Sequence, residues 1–272
     1  MRVTIWVDME GIAGIQAWEQ VVHDGAMYQE GRRLMTAEVN AAVRGAHAAG
    51  ATEIIVIDCH GAGGAYSFKS LIPEMLDPHG EYVLGAKWMR YTKALEDGCD
   101  AALLVGAHAM AGTPDGVLCH TVSSEAWYNA WINEDLVGES GICAAVCGTW
   151  NCPVAFVSGD IATCNEVQKL LGMQVTIAPI KIGINRFAAR NLAPQAACEL
   201  IETRARESLQ NLRRLKPYIP ASPTTFNVML ATPDRAMDFR GKPGVEISDN
   251  DRLVISRGEN FWQAWDQFWY QK

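Results

Sequence analysis

The chain has 272 residues, of which 49% are hydrophobic and 20% are charged, a composition typical of a globular protein long enough for one large α/β domain or two smaller ones. No apolar run reaches the roughly 18 residues that a membrane-spanning helix needs, and the N-terminus begins a strand pattern instead of a signal peptide, so we expect a cytoplasmic protein with no membrane partner. The formal net charge of -8, without any basic cluster, argues against nucleic acid as a partner.

The first two thirds of the chain alternate short apolar runs with segments of helical periodicity. The apolar runs predict strands at residues 3–7, 53–58, 82–84, 101–105, 154–157 and 175–182. The segments between them predict helices at residues 27–49, 92–97, 141–149 and 165–171. Because continuous apolar strands that alternate with helices are typical of a sheet buried on both sides, we predict an α/β fold with a mostly parallel sheet and helices on both faces.

The pattern changes after residue 182, where a smaller α+β portion is predicted. Residues 194–215 predict one long amphipathic helix, and residues 226–231 and 252–256 predict antiparallel strands. A final helix is predicted at 260–270, where aromatic side chains recur at helical spacing: Phe261, Trp262, Trp265, Phe268 and Trp269. Such a face either packs on the protein's own core or contacts another subunit, and both interpretations stay open.

The eight cysteines do not predict a structural metal site. None of them forms a C-x-x-C pair, whereas a zinc ribbon needs two close pairs. Cys59, Cys119, Cys143 and Cys147 stand in apolar or small-residue runs. We therefore expect reduced thiols that fill the core.

Carboxylates and histidines follow several of the predicted strands. Asp8 and Glu10 come after the first strand, Asp58 and His60 after the second, and His108 after the strand at 101–105. Residues two apart on an extended chain point the same way, so each pair can reach one point. Ligands of open α/β sheets gather beyond the carboxyl ends of the strands, which is where these side chains are expected.

Each of these residues alone has an ordinary explanation, such as a helix cap, a turn or a hydrogen-bonded polar residue. The coincidence is more informative, because three of the six histidines (His60, His108 and His120) follow apolar, strand-like runs. A mixed set of histidine and carboxylate suits zinc, manganese or iron better than calcium or magnesium. More than four ligands predicts two metal ions that share the activation of water and a carbonyl group.

The motifs together resemble a known family, the zinc D-aminopeptidases of bacterial dipeptide operons. The matching segments are VDMEG at 7–11, DCHG at 58–61, GAHA at 106–109 and the run from Thr113 to His120. Further matches follow in order at 132–139, 157–160 and, less strongly, 181–194. The resemblance covers the chain to about residue 200 and is much weaker beyond it.

The family resemblance implies a site with two zinc ions per subunit. Its ligands fall on Asp8, Glu10, His60, His108 and Glu139, with Asp8 as the bridge between the ions. His120 matches the residue proposed in the family as the catalytic nucleophile, and a general base or an acid toward the leaving amine are equally open roles. Two departures bear on substrate specificity: one extra residue near Asp115, and Ile161 where the family often has a second Asp.

The resemblance thus implies a metallo-aminopeptidase that removes an N-terminal residue, of D configuration, from short peptides. Another binuclear hydrolase, such as an amidase or a phosphoesterase, is the main alternative. It is disfavoured because only Lys69, Lys87 and Arg90 add positive charge near the motifs. A non-catalytic metal-binding homologue is a third hypothesis, and it predicts a lost ligand where none is lost.

The sequence pattern predicts two domains, and the family resemblance implies an oligomer. We predict a metal-binding α/β catalytic domain at residues 1–185 and a smaller α+β region at 186–272 that contributes to the substrate pocket and to oligomer contacts. The family further implies a homo-oligomer, a decamer-like ring with active sites that face an enclosed space.

Overall fold

A computed structural model describes residues 1–87, 90–248 and 252–269. Its strands, in chain order, are β1 (Arg2–Val7), β2 (Glu53–Asp58), β3 (Glu81–Val83), β4 (Ala101–Ala107), β5 (Trp127–Ile132), β6 (Asp135–Val137), β7 (Val154–Asp160), β8 (Thr176–Asn185), β9 (Ala188–Asn191), β10 (Thr224–Leu230), β11 (Val245–Ile247) and β12 (Leu253–Gly258). Its α-helices are α1 (Tyr28–Ala48), α2 (Lys93–Glu96), α3 (Glu139–Thr149), α4 (Ile161–Leu171), α5 (Pro194–Ser208), α6 (Pro233–Met237) and α7 (Phe261–Phe268).

The larger sheet has seven strands in the order β3-β2-β1-β4-β7-β8-β9. All neighbouring pairs are parallel except β8 and β9, which form an antiparallel hairpin. Val7 lies opposite both Asp58 of β2 and Val105 of β4, so the carboxyl ends of three adjacent strands lie at the same level. The predicted mostly parallel sheet is confirmed.

Both faces of this sheet are buried. Val3, Ile5 and Val7 of β1 belong to a core cluster that includes Met35 and other residues of α1, and α5 packs on the same side. Trp6 points to the opposite face and belongs to the core that contains residues of α3. This alternation is the period-two pattern of a strand, with a helix layer to receive each set of side chains.

The smaller sheet is antiparallel, with the order β11-β12-β10-β5-β6. The strands predicted at 226–231 and 252–256 correspond to β10 and β12. Strands β5 and β6 were not predicted from the sequence, and they bring residues 127–137 into this sheet. The two sheets therefore do not follow a division of the chain near residue 185, and that division stays a prediction about domains.

The helix predicted at 194–215 is shorter than expected. α5 ends at Ser208, and a 3₁₀ helix continues over Leu209–Arg214. Asn211 departs from helical geometry, with φ of -133° and ψ of 42°, so the prediction of one uninterrupted helix was wrong. Asparagine competes with the helix through its own hydrogen bonds to the backbone, which favours an interruption there.

Helix α7 packs on the smaller sheet. Phe261, Trp265 and Phe268 are buried, and their rings lie 5.6, 5.4 and 5.0 Å from that of Phe226 on β10. Of the two interpretations of this aromatic face, the contact with the protein's own core is therefore the observed one. Tyr270, the last residue of the predicted helix, lies outside the described residues.

The cysteines agree with the expectation of reduced thiols in the core. All eight cysteines are free, and six of them are buried, as expected for thiols that fill the core. Within the described residues, no helix is long and apolar enough to span a membrane.

Candidate metal centre

The ends of β1, β2 and β4 meet through backbone hydrogen bonds. The N–H of Asp8 donates to the carbonyl of Val105 at 2.9 Å, and the N–H of Gly11 donates to the carbonyl of Gly106 at 2.8 Å. Gly106 has a φ of 73°, and a Cβ atom there would lie only 2.2 Å from the carbonyl oxygen of Asp8. Glycine is therefore required for the close approach that places the loop after β1 beside the end of β4.

Asp8 lies between two histidines from neighbouring strands. Its Oδ1 is 2.9 Å from Nδ1 of His60, and its Oδ2 is 3.4 Å from Nε2 of His108. Nδ1 of His60 is also 3.3 Å from Oε2 of Glu10. The parallel strands thus deliver four of the predicted ligands to one point, as the sequence pattern indicated.

Glu139 and His120 lie beside these four residues and complete a cluster of six side chains. Glu139 is the first residue of α3, and its Oε1 lies 3.2 Å from Nε2 of His108 and 3.7 Å from Nε2 of His120. The same oxygen accepts a hydrogen bond from the N–H of Val122 at 2.7 Å. The negative charge also sits favourably at the N-terminus of a helix.

Backbone carbonyls define which ring nitrogen of each histidine carries a proton. Nε2 of His60 lies 2.7 Å from the carbonyl of Val21, and Nδ1 of His120 lies 2.9 Å from that of Leu118. Nδ1 of His108 likewise faces a carbonyl, that of its neighbour in the chain, at 3.1 Å. A carbonyl only accepts, so these nitrogens donate, and the opposite nitrogen of a neutral ring turns its lone pair toward the cluster.

The charges in the cluster are strongly coupled. Burial alone would raise the pKa of Asp8, but hydrogen bonds and charges from His108 and His60 hold it well below its ordinary value. Burial opposes charge on both histidines, yet Glu10 and Glu139 together with Asp8 raise their pKa values well above normal. Burial and the nearby His108 lower the pKa of His120. The cluster therefore attracts positive charge, which either protons or a metal can supply.

The donor set fits zinc. Oε2 of Glu10 and Nε2 of His108 are buried, and neither makes a hydrogen bond of good geometry among the described residues, although each lies within 3.4 Å of another group of the cluster. One ligand atom from each of Asp8, Glu10 and His108 lies within 4.8 Å of the others, and the same holds for His108, His120 and Glu139. Histidine nitrogen with carboxylate oxygen is a ligand chemistry that zinc accepts readily.

Asp58 differs from the other carboxylates and histidines at the strand ends, because it binds the backbone and not the cluster. Its Oδ1 accepts from the N–H of His60 at 3.1 Å, and its Oδ2 accepts from the N–H groups of Ser70 and Leu71 at 2.5 and 3.1 Å. All its described hydrogen bonds go to the backbone. Asp58 therefore holds the loop that carries His60 and does not join the cluster.

Two buried titratable residues that sequence analysis did not place at the site, Lys181 and Glu38, hold the loop after β1. Nζ of Lys181, on β8, donates to the carbonyls of Glu10, Ile12 and Ile15 at 2.6, 2.9 and 2.7 Å. Oε1 of Glu38, on α1, accepts from the N–H of Ala13 at 2.9 Å. The available signal was a lysine in the middle of the mostly apolar strand TIAPIKIGIN, since a buried lysine needs partners.

Two further acidic residues, Asp160 and Glu166, hold the loops that carry His120 and His108. Oδ2 of Asp160 accepts from the N–H of Val117 at 2.8 Å, three residues before His120, while its Oδ1 caps α4. Oε2 of Glu166 accepts from the N–H of Met110 at 2.9 Å, two residues after His108. Neither role is visible in the sequence, because the partners lie 43 and 56 residues away.

A cleft of about 900 Å³ opens over the cluster. It is lined by residues of the metal centre and also by Phe68, Lys87, Arg90, Trp127, Asp266 and Trp269. Trp127 belongs to β5 and Asp266 to α7, so both sheets contribute to the cleft. Its size is at the upper end of the range of ligand pockets, enough for a short peptide.

Comparisons with known proteins identify relatives over almost the whole chain. The D-aminopeptidase of Bacillus subtilis (strain 168) is 31% identical over 266 residues, which are 97% of this chain and 94% of that protein. The solved structure of the Zn-dependent D-aminopeptidase DppA from Bacillus subtilis, described as a self-compartmentalizing protease, matches with a TM-score of 0.91 at 30% identity. That match covers 99% of this chain and 96% of the other, so it includes the C-terminal part in which the sequence motifs were weak. The family model described as D-aminopeptidase matches residues 1–270, and the chain therefore belongs to the D-aminopeptidase family.

Proposed function

We propose that this protein is a zinc-dependent aminopeptidase that removes a D-configured N-terminal residue from short peptides. The observation that carries the proposal is that Asp8 and Glu10, which follow β1, converge with His60, His108, His120 and Glu139 beneath one cleft. Family membership supports the same activity, because the relatives are named D-aminopeptidases and one is named Zn-dependent.

Two zinc ions per subunit are proposed, held by Asp8, Glu10, His60, His108 and Glu139. Support for a bridging role of Asp8 is that its two oxygens face different histidines, His60 and His108. Zinc in such a centre supplies Lewis-acid polarisation of the scissile carbonyl and activation of water.

The other groups of the site bind and orient the peptide and move protons. His120 lines the cleft, and its Nε2, which carries the lone pair, lies 3.7 Å from Oε1 of Glu139. From this position Nε2 can accept a proton from water and return it to the leaving amine. His120 is stacked on His108 with ring centroids 4.0 Å apart, which keeps its imidazole in one orientation. We therefore assign His120 to proton transfer.

Separate Glu10→Gln and His108→Ala variants test the metal centre. Each is expected to lower the zinc content per subunit and to reduce hydrolysis of D-alanyl-D-alanine by at least about a hundredfold. His47→Ala, which changes an exposed histidine of α1, is the matched control and should retain zinc and turnover. Full activity of the protein after removal of its metal by a chelator would refute the proposal.

The configuration of the substrate needs its own measurement. Hydrolysis of D-alanyl-D-alanine and L-alanyl-L-alanine should be compared under identical conditions with the zinc-loaded protein. A higher kcat/KM for the D peptide is expected. Equal or reversed values would leave a metallo-aminopeptidase but would exclude the D specificity.

We further propose a homo-oligomer, a decamer-like ring, because the structural relative is described as self-compartmentalizing. The β8–β9 hairpin offers an apolar contact surface, since Ile184 and Phe187 are 70% and 54% exposed. Light scattering on the wild type should report an assembly, and Ile184→Glu with Phe187→Glu should dissociate it. Met173→Glu, at another exposed apolar residue, is the control. A monomeric wild type at all concentrations would contradict the proposal.

A further inference from the structure

The cleft over the metal centre has two chemically different ends. At its base the side chains of the cluster are nearly buried; those of Glu10 and His60 are 5% and 4% exposed. On its solvent side an ion pair joins Arg90, in the segment between β3 and α2, to Asp266 of α7, and these side chains are 38% and 45% exposed. Arg90 and Asp266 therefore mark the outer part of the cleft.

Positive charge in the cleft is concentrated in that outer part. Lys87 and Arg90 are the cationic side chains among its described lining residues, apart from the histidines of the base. Lys87 is exposed, and its ammonium has no ion-pair partner within the described part of the chain. Arg90 bonds Asp266 through Nη1, and a guanidinium carries five N–H donors, so further donors are available to a ligand.

A short peptide has the complementary arrangement of charge. If its first peptide bond lies at the metal centre, the remaining residues and the C-terminal carboxylate extend away from the base, toward the solvent side. Phe68, Trp127 and Trp269 also line the cleft and suit apolar side chains of a peptide. In a chain with a net charge of -8, a carboxylate without a cationic partner would be disfavoured at this position.

We propose that Lys87 and Arg90 form a subsite for the C-terminal carboxylate of short peptide substrates. This inference rests on the proposed function and names the part of the substrate that the function leaves open. The subsite selects peptides that end in a free carboxylate within reach of the metal centre. A peptide amide of the same sequence lacks the charge that the two cations recognise.

The test compares D-alanyl-D-alanine with D-alanyl-D-alaninamide on the zinc-loaded wild type. We expect kcat/KM to be about tenfold or more higher for the free acid, as charge-assisted hydrogen bonds contribute an effect of this size. The preference should shrink in high salt, because the cations are partly exposed. Equal kcat/KM for the two peptides would overturn the subsite.

Variants assign the preference to the named residues. In Lys87→Met and Arg90→Met the ratio of the two kcat/KM values should fall toward one. Lys93→Met removes an exposed lysine outside the cleft and should retain the ratio of the wild type. An acid preference that survives in both cleft variants would overturn the assignment to Lys87 and Arg90. Thermal melting of each variant shows whether Arg90→Met also loosens the segment that Asp266 holds.

A failure of the carboxylate subsite can be distinguished from a failure of the proposed peptidase activity. If the zinc-loaded protein cleaves neither peptide, the proposed activity has failed. Calorimetric titration of the same protein with the two peptides then still decides the subsite. Tighter binding of the acid than of the amide, lost in Lys87→Met, supports it, and equal binding overturns it.

Discussion

Nζ of Lys181 lies 2.6 Å from the carbonyl oxygen of Glu10, so a buried ammonium on β8 holds the backbone of a proposed metal ligand on the loop after β1. Lys181 is 1% exposed, and it donates to two further carbonyls of the same loop. Burial lowers the pKa of Lys181 to about 8, and the carboxylates of Asp160 and Glu38 oppose that change. A charged group is kept in the core here because it satisfies three backbone acceptors at once.

Replacement of this lysine should therefore weaken both the fold and the metal centre. In Lys181→Met three buried carbonyls lose their donor, and we expect the free energy of unfolding to fall by roughly 3 kcal/mol. Zinc affinity, measured by competition with a chelator, should fall as well because Glu10 is no longer held. Lys169→Met, at an exposed lysine of α4, should change neither quantity. Unchanged zinc affinity in Lys181→Met would show that the loop keeps its position without the lysine.

Asp160 performs two tasks that different substitutions can separate. Its Oδ1 accepts from the N–H of Thr163 at 2.8 Å, and its Oδ2 holds the N–H of Val117 in the loop that leads to His120. Asp160→Ala should lower the free energy of unfolding by about 2 kcal/mol, through loss of the cap and of the loop contact. Denaturant unfolding measures this loss.

Asp160→Asn keeps an oxygen for the cap but can turn an NH₂ group toward the N–H of Val117. Two donors then face each other, so we expect turnover to fall while most of the cap's stability is retained. Peptidase assays and unfolding curves on both variants give the comparison. Wild-type turnover in the Asn variant would mean that the position of His120 does not depend on this contact.

Phe226 is the central contact between β10 and α7. Its ring meets those of Phe261, Trp265 and Phe268, so truncation leaves a cavity among aromatic side chains. We expect Phe226→Ala to lower the free energy of unfolding by about 3–5 kcal/mol, measured with denaturant. Ile219→Ala, at a residue 62% exposed, should change it by less than about 0.5 kcal/mol. A small effect at Phe226 would contradict the packing of α7 on its own sheet.

Glu38 predicts a pH dependence of stability. Burial raises its pKa from 4.5 to about 8, although the N–H of Ala13 and the charge of Lys181 oppose this. The folded protein thus holds a proton on Glu38 that the unfolded chain releases above its ordinary pKa. Because the folded state binds more protons in this window, the contribution of Glu38 to the free energy of unfolding falls as the pH rises from about 4.5 to about 8.

A glutamine at this position cannot ionise and removes that contribution. The stability of Glu38→Gln relative to the wild type should therefore increase from about pH 5 to about pH 8, by an amount on the order of 3 kcal/mol. Urea unfolding at several pH values measures the difference. Glu30→Gln, at an exposed carboxylate of α1, serves as the control. A pH-independent difference for Glu38→Gln would show that Glu38 is ionised in the folded state.

The sequence was sufficient for the six parallel strands of the larger sheet, but it did not predict its seventh strand, β9. In Glu53–Asp58, for example, the four central residues are all apolar and buried, as expected for a strand covered on both faces of a sheet. It was not sufficient for β5 and β6, because WYNAWI alternates only weakly and pairs with β10, whose residues lie about a hundred positions later in the chain. The interruption at Asn211, in the helix predicted at 194–215, also could not be predicted, because the amphipathic pattern continues through it.

The sequence by itself determined which side chains could bind metal, because carboxylates and histidines two residues apart at strand ends are a local property of Asp8, Glu10 and His60. The histidines that follow apolar runs added His108 and His120, and the resemblance to a family added Glu139. Only the tertiary structure decided that Asp58 stays outside the cluster and that Lys181 and Asp160 support it. These roles depend on atoms brought within 3 Å across long stretches of chain, and no periodicity or spacing records such distances.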